Sequence, residues 1–160
     1  RRYETVDHDL LTTAALLHDI GVVDEIGGGY PPLPTDEGRL VGHVTLGHDR
    51  VKEACRRTRM PDALSIRLVH AILSHHGEPA AQGAPVAGRG VSTVEALILA
   101  HADRMDALVD EMNTSVGFAR MAGERWTDSR NGFHTPLFVP EGPTGGEEGA
   151  ARGDVELRSA

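Results

Sequence analysis

The sequence predicts an all-α protein, a single helical bundle with a short irregular C-terminal extension. Three observations carry that expectation. Apolar residues recur at helical spacing in several separate stretches, strand-like alternation is nearly absent, and clusters of glycine and proline divide the stretches. At 160 residues with 39% hydrophobic content, the chain is long enough for one domain with a real core.

The elements follow in order. Residues 1–8 are polar, and Thr5 or Asp7 is placed to cap a helix from about Asp9 to Asp19 that buries Leu16 and Leu17. The Gly/Pro-rich residues 24–34 form a loop. Thr35-Asp36-Glu37 reads as a helix start with acids in the first turn, and Leu40, Val44, Val51 and Cys55 carry that helix on until Pro61. Pro61-Asp62 opens the next helix, whose apolar face holds Leu64, Ile66, Leu68, Val69, Ile72 and Leu73 before it stops near His75-His76-Gly77. Residues 77–90 read as a long surface loop. Ser92-Thr93-Val94-Glu95 has the form of a capping box and starts a helix through Leu97, Ile98, Ala102, Met105, Leu108 and Val109, with a weaker helical stretch over 111–123. Trp126, Phe133, Leu137, Phe138 and Val139 supply the irregular extension to about residue 140. Residues 141–160, almost without apolar side chains, read as a disordered tail.

Composition narrows the function classes. No apolar run approaches the ~18–20 residues that span a bilayer, so no membrane partner is expected. No basic-then-apolar leader is visible, and the single Cys55 cannot close an internal disulfide; both suit a cytoplasmic location. A net charge of −8 opposes non-specific attraction to phosphate backbones, although bound divalent cations would reverse that sign locally. Lys52 is the only lysine among sixteen basic residues, which looks like composition bias more than a binding face.

Residues with metal chemistry sit at helix ends or inner faces. In Ala14-Ala15-Leu16-Leu17-His18-Asp19-Ile20-Gly21, the imidazole can bind a borderline metal while the two carboxylate oxygens bridge to a second. The plainer alternative is a helix end where His18 caps carbonyls. His43, between Gly42 and Val44, is a ligand or else a satisfied core histidine; His48, about 140° round the helix from it, reads as surface. The pair His75-His76 before Gly77 is hard to explain as packing. Asp103 lies in the Ala-rich run Leu99-Ala100-His101-Ala102, where an unpaired carboxylate is costly to bury and a metal would remove the cost. Separate helices of a bundle can aim such side chains into one site.

The order His-Asp, Gly-His, His-His-Gly, Ala-Asp resembles the HD-domain metal-dependent phosphohydrolases. It is most similar to the branch of bacterial 3′–5′ exoribonucleases in which an OB-fold precedes the HD domain. The phrases concerned are Ala15 to Gly21, Glu37-Gly38-Arg39-Leu40-Val41-Gly42-His43, Ile72-Leu73-Ser74-His75-His76-Gly77 and Glu95-Ala96-Leu97 through Ala102-Asp103, with Asp106-Ala107 at fitting spacing. The resemblance implies an HD-type domain over residues 1–140. It implies that His18, Asp19 and Asp103 hold one divalent metal, and that Asp19 bridges to a second held by His43 and His75. Manganese is the first expectation, with iron or cobalt as alternatives. His76 stays between metal ligand and substrate contact. Asp19, His76 and Arg39 are the candidate catalytic groups, and Arg104 and Arg130 the candidate substrate contacts.

The sequence departs from the pattern in three places. The family's first metal-binding histidine falls upstream of Arg1, so the domain is read as lacking its first helix. Val22 stands where many relatives carry lysine, and no OB-fold is visible. The implied activity is metal-dependent hydrolysis of nucleotide or nucleic-acid phosphoesters, in its most specific form 3′–5′ trimming of single-stranded RNA. The alternatives are a small-nucleotide phosphohydrolase and a truncated, non-catalytic HD domain that binds metal or a partner.

Overall fold

The computed structural model describes residues 4–77 and 90–141. The loop expected at 77–90 and the tail expected at 141–160 lie, except for their end residues, outside the described residues. Six helices form among the described residues: α1 (His8–Leu17), α2 (Val22–Glu25), α3 (Asp36–Val41), α4 (His43–Arg57), α5 (Asp62–Ser74) and α6 (Val94–Met121). No strand forms there, only the isolated antiparallel bridges Ile26–Pro34 and Trp126–Phe138. The protein is all-α, as expected. Among the described residues no helix is long and apolar enough to cross a membrane.

The chain forms two compact units, Arg1–Leu108 and Val109–Ala160. The core of the first is built from Leu10 and Ala14 of α1, Val51 and Cys55 of α4, Leu68, Ala71 and Ile72 of α5, and Ala96 and Leu99 of α6. Each fully buried leucine or isoleucine stabilises by roughly 1.5–3 kcal/mol. Asp7 caps α1, its carboxylate accepting the Leu10 N–H at 3.1 Å, worth about 1 kcal/mol.

Four local expectations are corrected. Leu16 is 78% exposed: it lies about 200° round α1 from the core residue Ala14, and only Leu17 borders the core. The single helix expected from Thr35 to Pro61 is broken at Gly42, whose φ of 78° and ψ of 154° belong to a region essentially reserved for glycine; α3 therefore ends, Leu40 is left in solvent, and α4 starts in a new direction. Ile66 also faces solvent. Helix α6 is continuous, absorbing the weaker stretch, and its cap is Thr93, whose hydroxyl accepts the Ala96 N–H at 3.2 Å, instead of Ser92.

Glu95, relieved of a capping role, is 2% exposed. Its carboxylate accepts the Asp7 N–H and the Arg67 guanidinium, each at 2.9 Å, tying the N-terminal segment, α5 and α6 together. Burial alone would raise its pKa. The amides of Asp7 and Glu95 and the charge and hydrogen bond of Arg67 outweigh that and hold the carboxyl below the usual glutamate range.

Within the second unit Thr127, Leu137 and Val139 are buried, while Trp126 and Phe138 meet edge to face, 5.3 Å apart, on the opposite, exposed side. Asn131 organises the turn between them: its Nδ2 reaches Thr127 Oγ1 and the carbonyls of Asp128 and Thr135 at 2.7–3.1 Å, and its Oδ1 accepts the Phe133 N–H at 2.9 Å.

Candidate metal centre

The site is assembled from helix ends of the first unit. At the end of α1, His18 Nδ1 donates to the Ala15 carbonyl at 2.8 Å; at the end of α5, His75 Nδ1 donates to the Ile72 carbonyl at 2.7 Å. These are carbonyls that a helix terminus leaves without an intrahelical partner. The capping role of His18 and its role in the site are therefore one and the same, because fixing the proton on Nδ1 leaves the Nε2 lone pair free.

Those Nε2 atoms converge on Asp19. Its Oδ2 lies 3.3 Å from His18 Nε2, while its Oδ1 lies 3.5 Å from both His43 Nε2 and His75 Nε2. Asp103, from α6, places Oδ1 3.7 Å from His18 Nε2 and Oδ2 3.3 Å from His76 Nδ1. His43 Nε2 and His76 Nε2 are 3.0 Å apart, and His43, His75 and His76 offer ligand atoms all within 4.8 Å of one another. His18, Asp19, His43, His75, His76 and Asp103 thus come together, with the two oxygens of Asp19 turned to different sets of imidazoles.

Glycine makes the approach possible. A Cβ on Gly21 would strike the His43 carbonyl and the Gly47 backbone nitrogen, so the turn carrying His18 and Asp19 can lie against the start of α4 only without a side chain there. Gly38 is pressed in the same way onto the backbone of Glu25.

Two observations test whether these residues fit a metal. His75 is completely buried, and among the described residues its Nε2 has no hydrogen-bond partner; the 3.5 Å to Asp19 Oδ1 is proximity only. Burial pushes the His75 pKa down, aided by the neighbouring imidazoles, so the ring stays neutral with a lone pair to offer. In addition, His43 Nδ1 faces Glu25 Oε2 at 3.0 Å and His76 Nδ1 faces Asp103 Oδ2 at 3.3 Å. Carboxylates only accept, so each favours a proton on Nδ1 and turns the Nε2 lone pairs of His43 and His76 toward each other. A cation between them resolves that opposition. A donor set of imidazoles and carboxylates suits divalent transition metals, and the residues fit one.

The arginines are placed differently. Arg39 on α3 and Arg104 on α6 are exposed, and among the described residues neither has an ion-pair partner. Arg130 belongs to the second unit, where it lines a cleft of about 420 Å³ and forks onto Asp128, which raises its pKa and lowers that of Asp128. His48 turns to Asp49 at 2.7 Å, and His101 and Asp106 are exposed. Glu25, against His43, is the residue that the sequence reading missed. It sits at the start of a Gly/Pro-rich stretch with no motif to mark it.

A family model for the HD domain matches residues 1–108. The chain belongs to the HD-domain family. Among curated proteins it is similar to the 3′-5′ exoribonuclease YhaM of Bacillus subtilis (strain 168), 33% identical over 141 residues, which are 85% of this chain and 43% of that protein. The YhaM of Bacillus licheniformis is 30% identical over 141 residues with the same coverage, and that of Listeria welshimeri is 35% identical over 111 residues, 69% of this chain and 34% of that protein. The chain therefore spans less than half the length of these relatives. No solved structure matches it significantly.

Proposed function

We propose that the chain is the hydrolytic HD-type domain of a metal-dependent phosphodiesterase acting on single-stranded RNA from the 3′ end. The observation that carries this reading is the convergence of His18, His43 and His75 on the Asp19 carboxylate, with Asp103 beside His18 and His76 beside His43. The similarity to YhaM exoribonucleases supports RNA as the substrate class.

His18, Asp19 and Asp103 would hold one cation and Asp19, His43 and His75 a second. Divalent cations bound there would supply Lewis acidity toward phosphoryl oxygens and water. The protein's own groups do the rest. Asp19 would orient the reacting water, and His76, its Nδ1 facing Asp103 and its Nε2 facing that of His43, would join His43 and His75 as a ligand. Arg39 and Arg104, both exposed, would offer charge to neighbouring phosphates of the strand.

The net charge of −8 favours a second reading, a hydrolase of small nucleotides that needs no polymer track. Both are tested by turnover of single-stranded oligoribonucleotides, a nucleotide panel and a chromogenic phosphodiester with Mn²⁺. Ladders shortened from the 3′ end support the first reading; nucleotide turnover without ladders supports the second. No turnover of any substrate overturns both.

A further inference from the structure

We propose that Glu25 is a positioning residue of the metal centre: it fixes which nitrogen of His43 carries the proton and so aims the other at the cations. His18 and His75 are oriented by carbonyls three residues back at helix C-termini. His43 has no such option. It is the first residue of α4, where the free backbone groups are N–H donors that would oppose an Nδ1–H. Three residues back lies Leu40, on the far side of the break at Gly42. The ring needs an acceptor from elsewhere, and Glu25 Oε2 is there at 3.0 Å. A carboxylate at a helix N-terminus is also favoured by the helix dipole.

The stretch between the His-Asp turn and His43 is built to hold Glu25 in place. The Glu25 N–H donates to the Gly21 carbonyl at 3.0 Å, and its carbonyl accepts the Thr35 N–H at 2.8 Å. Gly38 packs directly on its backbone. Thr35 Oγ1 at once caps α3 through the Gly38 N–H at 2.8 Å and donates to the Asp24 carbonyl at 2.9 Å. Asp24 next door is taken by Arg50, whereas among the described residues the Glu25 carboxylate meets no lysine or arginine; His43 is its one ion-pair contact there. Because the backbone is held independently, removing the carboxylate leaves the segment standing. Groups that orient a metal-bound histidine in this way typically change metal affinity by about 10–100-fold when lost.

The test uses the whole chain with Glu25→Ala and Glu25→Gln and has two readouts. In metal-free protein, long-range ¹H–¹⁵N spectra of the imidazoles report the tautomer of His43. Native protein shows Nδ1–H, Glu25→Ala shifts His43 toward Nε2–H, and Glu25→Gln, which keeps an acceptor oxygen, retains Nδ1–H. In calorimetric titration with Mn²⁺, Glu25→Ala weakens binding about 10–100-fold and Glu25→Gln, whose neutral oxygen is the weaker acceptor, by about three- to tenfold. An unchanged His43 tautomer in Glu25→Ala, with Mn²⁺ affinity within about twofold of native, overturns the proposal. Should Glu25→Ala fail to fold, the isosteric Glu25→Gln decides by the same titration, and native affinity there counts against it. The affinity arm rests on the metal reading above, but the tautomer arm does not. If native protein binds no Mn²⁺, that reading falls and the tautomer alone judges Glu25.

Discussion

At the scale of single residues, His75 is the most telling. A buried imidazole nitrogen with nothing to bond to is unfavourable by about 1–3 kcal/mol until something accepts its lone pair. His75→Ala is expected to lose the cation that Asp19, His43 and His75 would share while keeping the one at His18, and to lose turnover with it, measured as metal per chain after gel filtration. Retention of native metal content by that variant would mean that His75 holds none. How far residues could be read from sequence depended on where their partners sit. His18 and Asp19 are neighbours in the chain, and His75 and His76 likewise, so their chemistry is visible in the letters alone. Asp103 was singled out by the cost of burying a lone carboxylate among alanines, yet it is only partly buried, with His101 and Ala102 exposed. Glu25 was not singled out, because its partner lies 18 positions away around a turn and nothing in Asp24-Glu25-Ile26 distinguishes it from ordinary surface acid.

At the scale of elements, the spacing of the site depends on glycines. Gly21→Ala drives a methyl into the backbone of His43 and Gly47, and an expected loss of about 1–3 kcal/mol by denaturant titration should come with weakened metal binding, since the His-Asp turn must lift off α4. Gly42→Ala meets no neighbour but holds a φ of 78°, so its expected loss of about 1–3 kcal/mol is backbone strain alone. That break was hidden from the sequence reading because Leu40, Val44 and Val51 keep helical spacing across it; periodicity does not report a single dihedral. The Ser92–Glu95 pattern misled for a different reason. A buried tertiary partner, Arg67 with the Asp7 amide, competes for Glu95 more strongly than a local cap. Glu95 also gives a pH prediction. Its folded-state pKa is below the ordinary value of 4.5, so its contribution is complete above that pH and is lost as pH falls through the lowered value. Glu95→Gln should be less stable by about 1–3 kcal/mol at pH 7 and show a shallower loss below about pH 4.5 in thermal melts. Equal acid slopes for the two proteins would refute this.

At the scale of the whole molecule, the helical class was legible throughout, since periodic apolar spacing and Gly/Pro punctuation are local signals. The first unit's core and its convergence of side chains depend on packing, which spacing anticipates only in outline. Cations held by groups at the ends of α1 and α5, on α4 and on α6 would bind the folded chain and not the unfolded one, so they should add about 2.7 kcal/mol at a hundredfold excess over the dissociation constant. For a chain of this size that is a melting shift of about 5–10 °C, abolished by chelator and reduced in His75→Ala. A chelator-insensitive melting temperature would speak against the centre.

The glycine at position 21 has a consequence for anyone wishing to rebuild this centre elsewhere. Copying the six donor side chains onto an arbitrary four-helix scaffold would reproduce the chemistry of the ligands and miss their spacing, because any β-carbon at that turn holds two helices apart. A successful transplant must carry the bare backbone at 21, the pressed contact at 38 and the inverted dihedral at 42 along with the donors. The smallest residues in the chain set the size of the hole.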